Sequence, residues 1–204
     1  MRASPRMTFS SLCEYLDASP VRQRSILSAQ KYPTGGPVRS YSTALSQITE
    51  FAINGTPLAP QAEGLETWER EIVDELWRND WRPPAPQVRR PSTHQAPMNV
   101  NGVDVSVYPD LLLADPQEGR PRTGALKFYF RKTKPLSGDV GRWMASFLYR
   151  YKIEVERDET ASPDLCLIYD VRNDQYFEAG KSHKRLFANV EAACLFIAGA
   201  WNGI

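Results

Sequence analysis

The sequence predicts an α+β domain: a mixed central β-sheet flanked by helices, preceded by an all-helical extension over residues 1–60. Three observations lead there. Through the first eighty residues apolar side chains recur at helical spacing. From residue 98 the period shortens to strict alternation, the mark of half-buried strands. Over residues 65–204 the segments then run helix, strands, helix, strand, strand, helix, which places helices against a sheet. A chain of 204 residues with 42% apolar content suits one domain of ordinary size and can build a real core.

The elements follow in order. Ser11-Leu12-Cys13-Glu14 reads as a capping box, in which hydroxyl and carboxylate satisfy free N–H groups at a helix start. Ser19-Pro20 opens a second helix through Val21, Ile26 and Leu27 to about Gln30, with Ser as N-cap and Pro at the first helical position. Pro33-Thr34-Gly35-Gly36-Pro37 must break it. A third helix carries Ala44, Leu45, Ile48 and Ala52 on one face and ends at Asn54-Gly55. After a polar joint, Leu65, Trp68, Ile72, Val73, Leu76 and Trp77 mark an amphipathic helix to about Asp80. Pro83, Pro84, Pro86 and Pro91 form a stiff extended linker.

Asn101-Gly102 is a hairpin-type turn, and Val103, Val105 and Val107 alternate with polar residues after it. Asp110 to Ala114 continues that strand or pairs with it. A polar loop leads to an aromatic-rich strand, Ala125 to Phe130. Ser137-Gly138-Asp139 opens a helix in which Trp143, Phe147 and Tyr151 sit at helical spacing and read as core. Leu165-Cys166-Leu167-Ile168-Tyr169 is a near-continuous apolar run, as in the middle of a sheet. A turn at Asn173-Asp174, a short strand from Gln175 to Glu178 and a helix from about Asn189 to Trp201 close the chain.

Several chemistries are excluded. Net charge is +1, so nucleic acid would have to be held by a local patch. Three cysteines, Cys13, Cys166 and Cys194, lack zinc or redox spacing; they read as buried thiols, consistent with a cytoplasmic location. No segment reaches the ~18 apolar residues of a membrane span. The first residues lack a signal-peptide core, and Met7 is an alternative start. His94 and His183, the two histidines, have no ligand spacing around them. Gly180-Lys181-Ser182 ends like a phosphate loop, but Gln175 stands where the earlier Gly is required.

What remains is a carboxylate and a lysine on successive apolar strands: Asp110, after Pro109, and Lys127 in Gly124-Ala125-Leu126-Lys127-Phe128. Adjacent strands bring two such side chains within ~5 Å on one face. A carboxylate can hold Mg²⁺, which neutralises phosphate charge and acidifies a bound water; a lysine beside it can orient that water. In this order the pattern resembles the PD-(D/E)XK nuclease-like superfamily over roughly residues 65–175. There an acidic helix precedes a Pro-Asp strand, then an Asp/Glu-X-Lys strand, a helix and a further strand.

The resemblance implies metal-dependent phosphodiester cleavage, with Asp110 and Lys127 catalytic and Mg²⁺ or Mn²⁺ as cofactor. One position departs: Ala125 stands where the second carboxylate belongs, and a methyl group cannot ligate metal. Asp139 is the relocated substitute, as in some restriction enzymes of the superfamily, and Glu69, Glu71 or Glu75 is the acidic residue on the leading helix, with Glu75 the choice as ligand. The plain reading of Asp139 is an ordinary helix cap, and a structural alternative for Asp110 and Lys127 is a buried ion pair.

Arg120, Arg122, Arg131, Lys132 and Lys134 are the candidate nucleic-acid contacts, with a second cluster at Lys181, His183, Lys184 and Arg185. The expected function is that of a divergent member of nucleic-acid metabolism or prokaryotic defence, binding DNA or RNA with weak or lost cleavage. The alternatives are an active Mg-dependent endonuclease or exonuclease and a non-catalytic module docking a protein partner on its N-terminal helices.

Overall fold

The computed structural model describes residues 2–33, 41–93, 95–117, 120–131 and 135–204. Among them are six α-helices and eight strands in two sheets, an α+β fold.

The chain opens on β1 (Arg6–Thr8) and α1 (Phe9–Leu16). The cap of α1 is Thr8, whose Oγ1 accepts from the Ser11 amide at 3.1 Å, so the helix starts three residues before the expected capping box. Glu14 is then free for other partners. Next come α2 (Pro20–Lys31), with Pro20 in its first turn as expected, and α3 (Ser42–Asn54), closed by Gly55 in the left-handed region. The expected break at Pro33–Pro37 lies largely outside the described residues. α4 (Thr67–Arg78) is capped by a reciprocal pair, Glu66 and Glu69. Glu69 also accepts from the Thr43 and Ala44 amides, tying α3 to α4.

The proline stretch contains β2 (Gln87–Arg89). β3 (Met98–Val100) and β4 (Val103–Ser106) form the hairpin expected around Asn101-Gly102. β5 (Leu111–Asp115) neither continues nor pairs with β4: it lies in the other sheet, beyond the chain-breaking Pro109. β6 (Arg122–Tyr129), α5 (Gly138–Glu154), β7 (Ala161–Asp170) and β8 (Gln175–Glu178) follow. The last helix, α6 (His183–Ala200), begins six residues earlier than its apolar pattern suggests.

The larger sheet runs β2-β5-β6-β7-β8. β6 is antiparallel to β5 and, across the α5 crossover, parallel to β7. Its two faces carry two cores. Ala125, Cys166 and Ile168 pack under α1, α2, α5 and α6; Leu111, Leu126, Phe128, Leu167 and Tyr169 pack under α3 and α4. The smaller sheet, β1-β4-β3, adds Met7, Val100, Val103 and Val105 to the first core. The helices before residue 60 therefore share both cores with the segments after residue 65. All three cysteines are free and buried. No helix among the described residues is long and apolar enough to cross a membrane.

Candidate functional site

Alternation along β6 puts Ala125, Lys127 and Tyr129 on the α5 side of the sheet, with Leu126 and Phe128 on the α4 side. Leu111 faces α4, so Asp110 one residue earlier faces α5 and meets Lys127. The Lys127 Nζ donates to Asp110 Oδ1 at 2.9 Å. The pair is largely dry: the Asp110 side chain is 8% exposed and that of Lys127 19%.

The second carboxylate oxygen is also taken. The Phe128 amide donates to Asp110 Oδ2 at 2.7 Å, while the Asp110 amide donates to the Leu126 carbonyl at 2.8 Å. β5 has not yet begun at this level, so Asp110 supplies from its side chain the acceptor that the next ladder position lacks. Its carboxylate thus ends the β5–β6 ladder as well as pairing with Lys127. Asp110 also borders a groove of about 310 Å³ shared with Tyr108, Arg90 and Thr49.

The other expected ligands are not gathered around it. Glu75 lies on α4, against the opposite face of the sheet, and pairs with Arg172 at 3.4 Å beside Glu71 at 2.8 Å. Those two carboxylates fix the β7–β8 turn; Glu69 is spent on capping. Asp139 occupies the exposed first turn of α5, where Ser137 is the side-chain cap. Ala125 is fully buried in the first core. Among the described residues no three His, Cys, Asp or Glu side chains are gathered where they could hold a metal ion together, and Asp110, Glu75 and Asp139 stand apart.

The basic rim is partly neutralised. Arg122 pairs with Asp115 at 2.5 Å across β5–β6, and Arg131 pairs with Glu14 at 2.7 Å, a carboxylate also held by Arg22. The Arg131 hydrogen bond is the main reason that Glu14 titrates below its ordinary range, outweighing its partial burial. Arg120 is exposed; Lys132 and Lys134 lie outside the described residues. Lys181, Lys184 and Arg185 are exposed where α6 begins. His183 packs its ring on Tyr149 at 4.6 Å, and burial, with Lys184 and Arg150, pushes its pKa down. Tyr149 also lines a groove of about 620 Å³ with Arg120 and Arg122, so the two basic segments flank one feature, which also contains Glu159 and Asp164.

Two participants escaped the sequence reading. The Phe128 amide is a main-chain group, which no residue letter reports. Asp170, fully buried at the end of β7, accepts from the Leu136 and Arg172 amides and the Asn173 side chain, anchoring the approach to α5. Its signal was available: an acidic residue closing an apolar strand must find donors.

No protein-family model, no curated protein and no solved structure matches this chain.

Proposed function

We propose that this chain is a PD-(D/E)XK-like domain that has lost metal-dependent cleavage and acts by binding nucleic acid through its phosphate backbone. The observation that carries the reading is the state of Asp110: one carboxylate oxygen holds Lys127 and the other holds the Phe128 amide. A carboxylate so occupied has two of its roughly four acceptor positions engaged, and the buried methyl at Ala125 supplies no second ligand beside it. The element order supports the ancestry: α4, the antiparallel run β2-β5-β6, the α5 crossover and a parallel β7.

The placement of the free cations supports binding without cutting. Arg120 lines the Tyr149 groove at the end of β6 that begins at Arg122, and His183, next to the exposed Lys184 and Arg185, packs on Tyr149. Lys127 is five residues further along that strand, roughly 17 Å at the rise of an extended chain. A backbone held at Tyr149 is not delivered to Asp110.

The test is fluorescence anisotropy with labelled single- and double-stranded DNA and RNA, in EDTA and in Mn²⁺, with the products run on a gel. The reading expects saturable, salt-sensitive binding, independent of metal, with a shallow log–log salt slope of about −2 to −4 for a few phosphate contacts, weakened by Lys184→Glu with Arg185→Glu. Cleavage in Mn²⁺ that Asp110→Asn removes would overturn the loss of catalysis. Absence of salt-sensitive binding to any of the four would overturn the nucleic-acid role.

A further inference from the structure

A second feature, unrelated to the Asp110 face, lies between the C-terminal ends of α3 and α4. A groove of about 350 Å³ is lined by Phe51, Trp77, Trp81, Asp80 and Arg82. The Phe51 and Trp81 rings lie 6.0 Å apart at 48°, and Trp77 stands at the lip with 61% of its surface exposed. The three rings give the groove an apolar wall that is open to solvent at Trp77. Asp80 projects from the turn that ends α4, with φ of 46°. The Trp81 amide reaches back to the Leu76 carbonyl across this turn, a position where glycine is the least strained residue. Aspartate tolerates the left-handed region better than most residues, and here it places a carboxylate at the mouth of the groove.

The groove already holds a cation of its own chain. The Arg82 guanidinium lies over the Phe51 ring, 5.3 Å from its centroid, and pairs with Asp80 at 2.6 Å. Its Nη1 donates to the Trp81 carbonyl at 3.3 Å. Ring faces, carboxylate and carbonyl are the three partners that a planar guanidinium uses. Yet the pair is exposed, Arg82 by 63% and Asp80 by 81%, and an exposed ion pair holds its arginine loosely.

We propose that this groove is a binding site for a guanidinium group, that of an arginine side chain presented by a partner protein, and that Arg82 occupies it in the free chain as an intramolecular stand-in. The incoming arginine takes the Phe51 face and the Asp80 carboxylate, Trp77 closes over its aliphatic stem, and Arg82 swings out to solvent. The proposal rests on the groove alone and stands whether or not the chain binds nucleic acid.

The experiment titrates N-acetyl-arginine amide into the full chain and follows tryptophan fluorescence, with N-acetyl-glutamine amide as the uncharged control. The chains compared are wild type, Arg82→Ala, Arg82→Gln, and Arg82→Ala combined with Asp80→Asn or with Trp77→Ala. Arg82 is a tethered competitor held only by an exposed pair, so both Arg82 variants should bind the arginine probe about two- to fivefold more tightly than wild type. Asp80→Asn and Trp77→Ala should each undo that gain, and the glutamine probe should give no saturable change. Circular dichroism confirms the fold of each variant. Absence of saturable binding in both folded Arg82 variants would overturn the proposal, as would binding indifferent to Asp80→Asn and Trp77→Ala, or equal binding of the glutamine probe.

Discussion

Replacing Asp110 by Ala removes two interactions at once, and the geometry separates them. Loss of one partner from a fully buried ion pair costs about 3–5 kcal/mol. The Lys127 side chain keeps 19% of its exposure, so water recovers part of that and about 1.5 kcal/mol remains for the pair. The Phe128 amide loses its acceptor beside a strand with no replacement, which costs about 1–3 kcal/mol more. Asp110→Ala should therefore destabilise by about 3 kcal/mol and Lys127→Met by about 1.5 kcal/mol, since the carboxylate then keeps the Phe128 amide. In the Asp110→Ala background, Lys127→Met removes a stranded ammonium and should cost almost nothing. Urea unfolding of the four proteins gives a double-mutant cycle with a coupling of about 1.5 kcal/mol. Equal costs for the two single variants, or a coupling under about 0.5 kcal/mol, would refute the claim that Asp110 both pairs with Lys127 and ends the ladder.

Three further outcomes follow from the same packing. A Cβ added at Gly124 would collide with the Leu165 carbonyl on β7, so Gly124→Ala should cost at least about 3 kcal/mol in thermal or urea unfolding; a cost below 1 kcal/mol would mean that β6 and β7 are not so close. Lys31, buried, donates to the Trp201 and Ile204 carbonyls at 2.7 and 3.1 Å, so Lys31→Met should cost about 2 kcal/mol and loosen Trp201, seen as a red-shifted fluorescence; an unshifted spectrum with unchanged stability would count against that clasp. Burial alone would raise the Asp158 carboxyl, but hydrogen bonds from Thr123, Lys152 and Thr160 outweigh it and hold it at about 2, below the 3.8 of a free side chain. A depressed carboxylate contributes stability that is present above pH 3.8 and lost as pH falls through about 2. After allowance for solvent screening the contribution is about 1 kcal/mol, so the gap between wild type and Asp158→Asn should be constant from pH 5 to 7 and close between about pH 4 and 2; a gap that persists at pH 2 would contradict this assignment.

Much of the fold is legible because periodicity and turn chemistry agree. Val103, Val105 and Val107 alternate after Asn101-Gly102, and β4 forms there; the apolar run at Leu165–Tyr169 becomes the middle of β7, buried on both faces. Pro20 at the start of α2 and Gly55 at the end of α3 stand where steric preference puts them. What escaped depends on distant partners. β1 has three residues and no pattern of its own; it is a strand because Met7 sits opposite Val105. The first turns of α6 are polar because Lys184 and Arg185 face water, so apolar spacing could not report them.

The site was legible to the same degree. The sequence places Asp110 and Lys127 on neighbouring strands, and alternation puts both side chains on one face. It cannot say which side of the sheet α4 covers, and that decides the fate of Glu75. Nor does it show the main-chain donor that takes the second oxygen of Asp110, the detail on which the functional reading turns.

The most direct test of that reading is calorimetric titration of the purified chain with Mn²⁺ and Mg²⁺, with Asp110→Asn as the comparison and a short DNA duplex added to assist a weak site. The account predicts the same small, unsaturable heats for both proteins. Saturable binding of either ion to the wild type, absent in a folded Asp110→Asn, would put a metal at Asp110 and contradict the account.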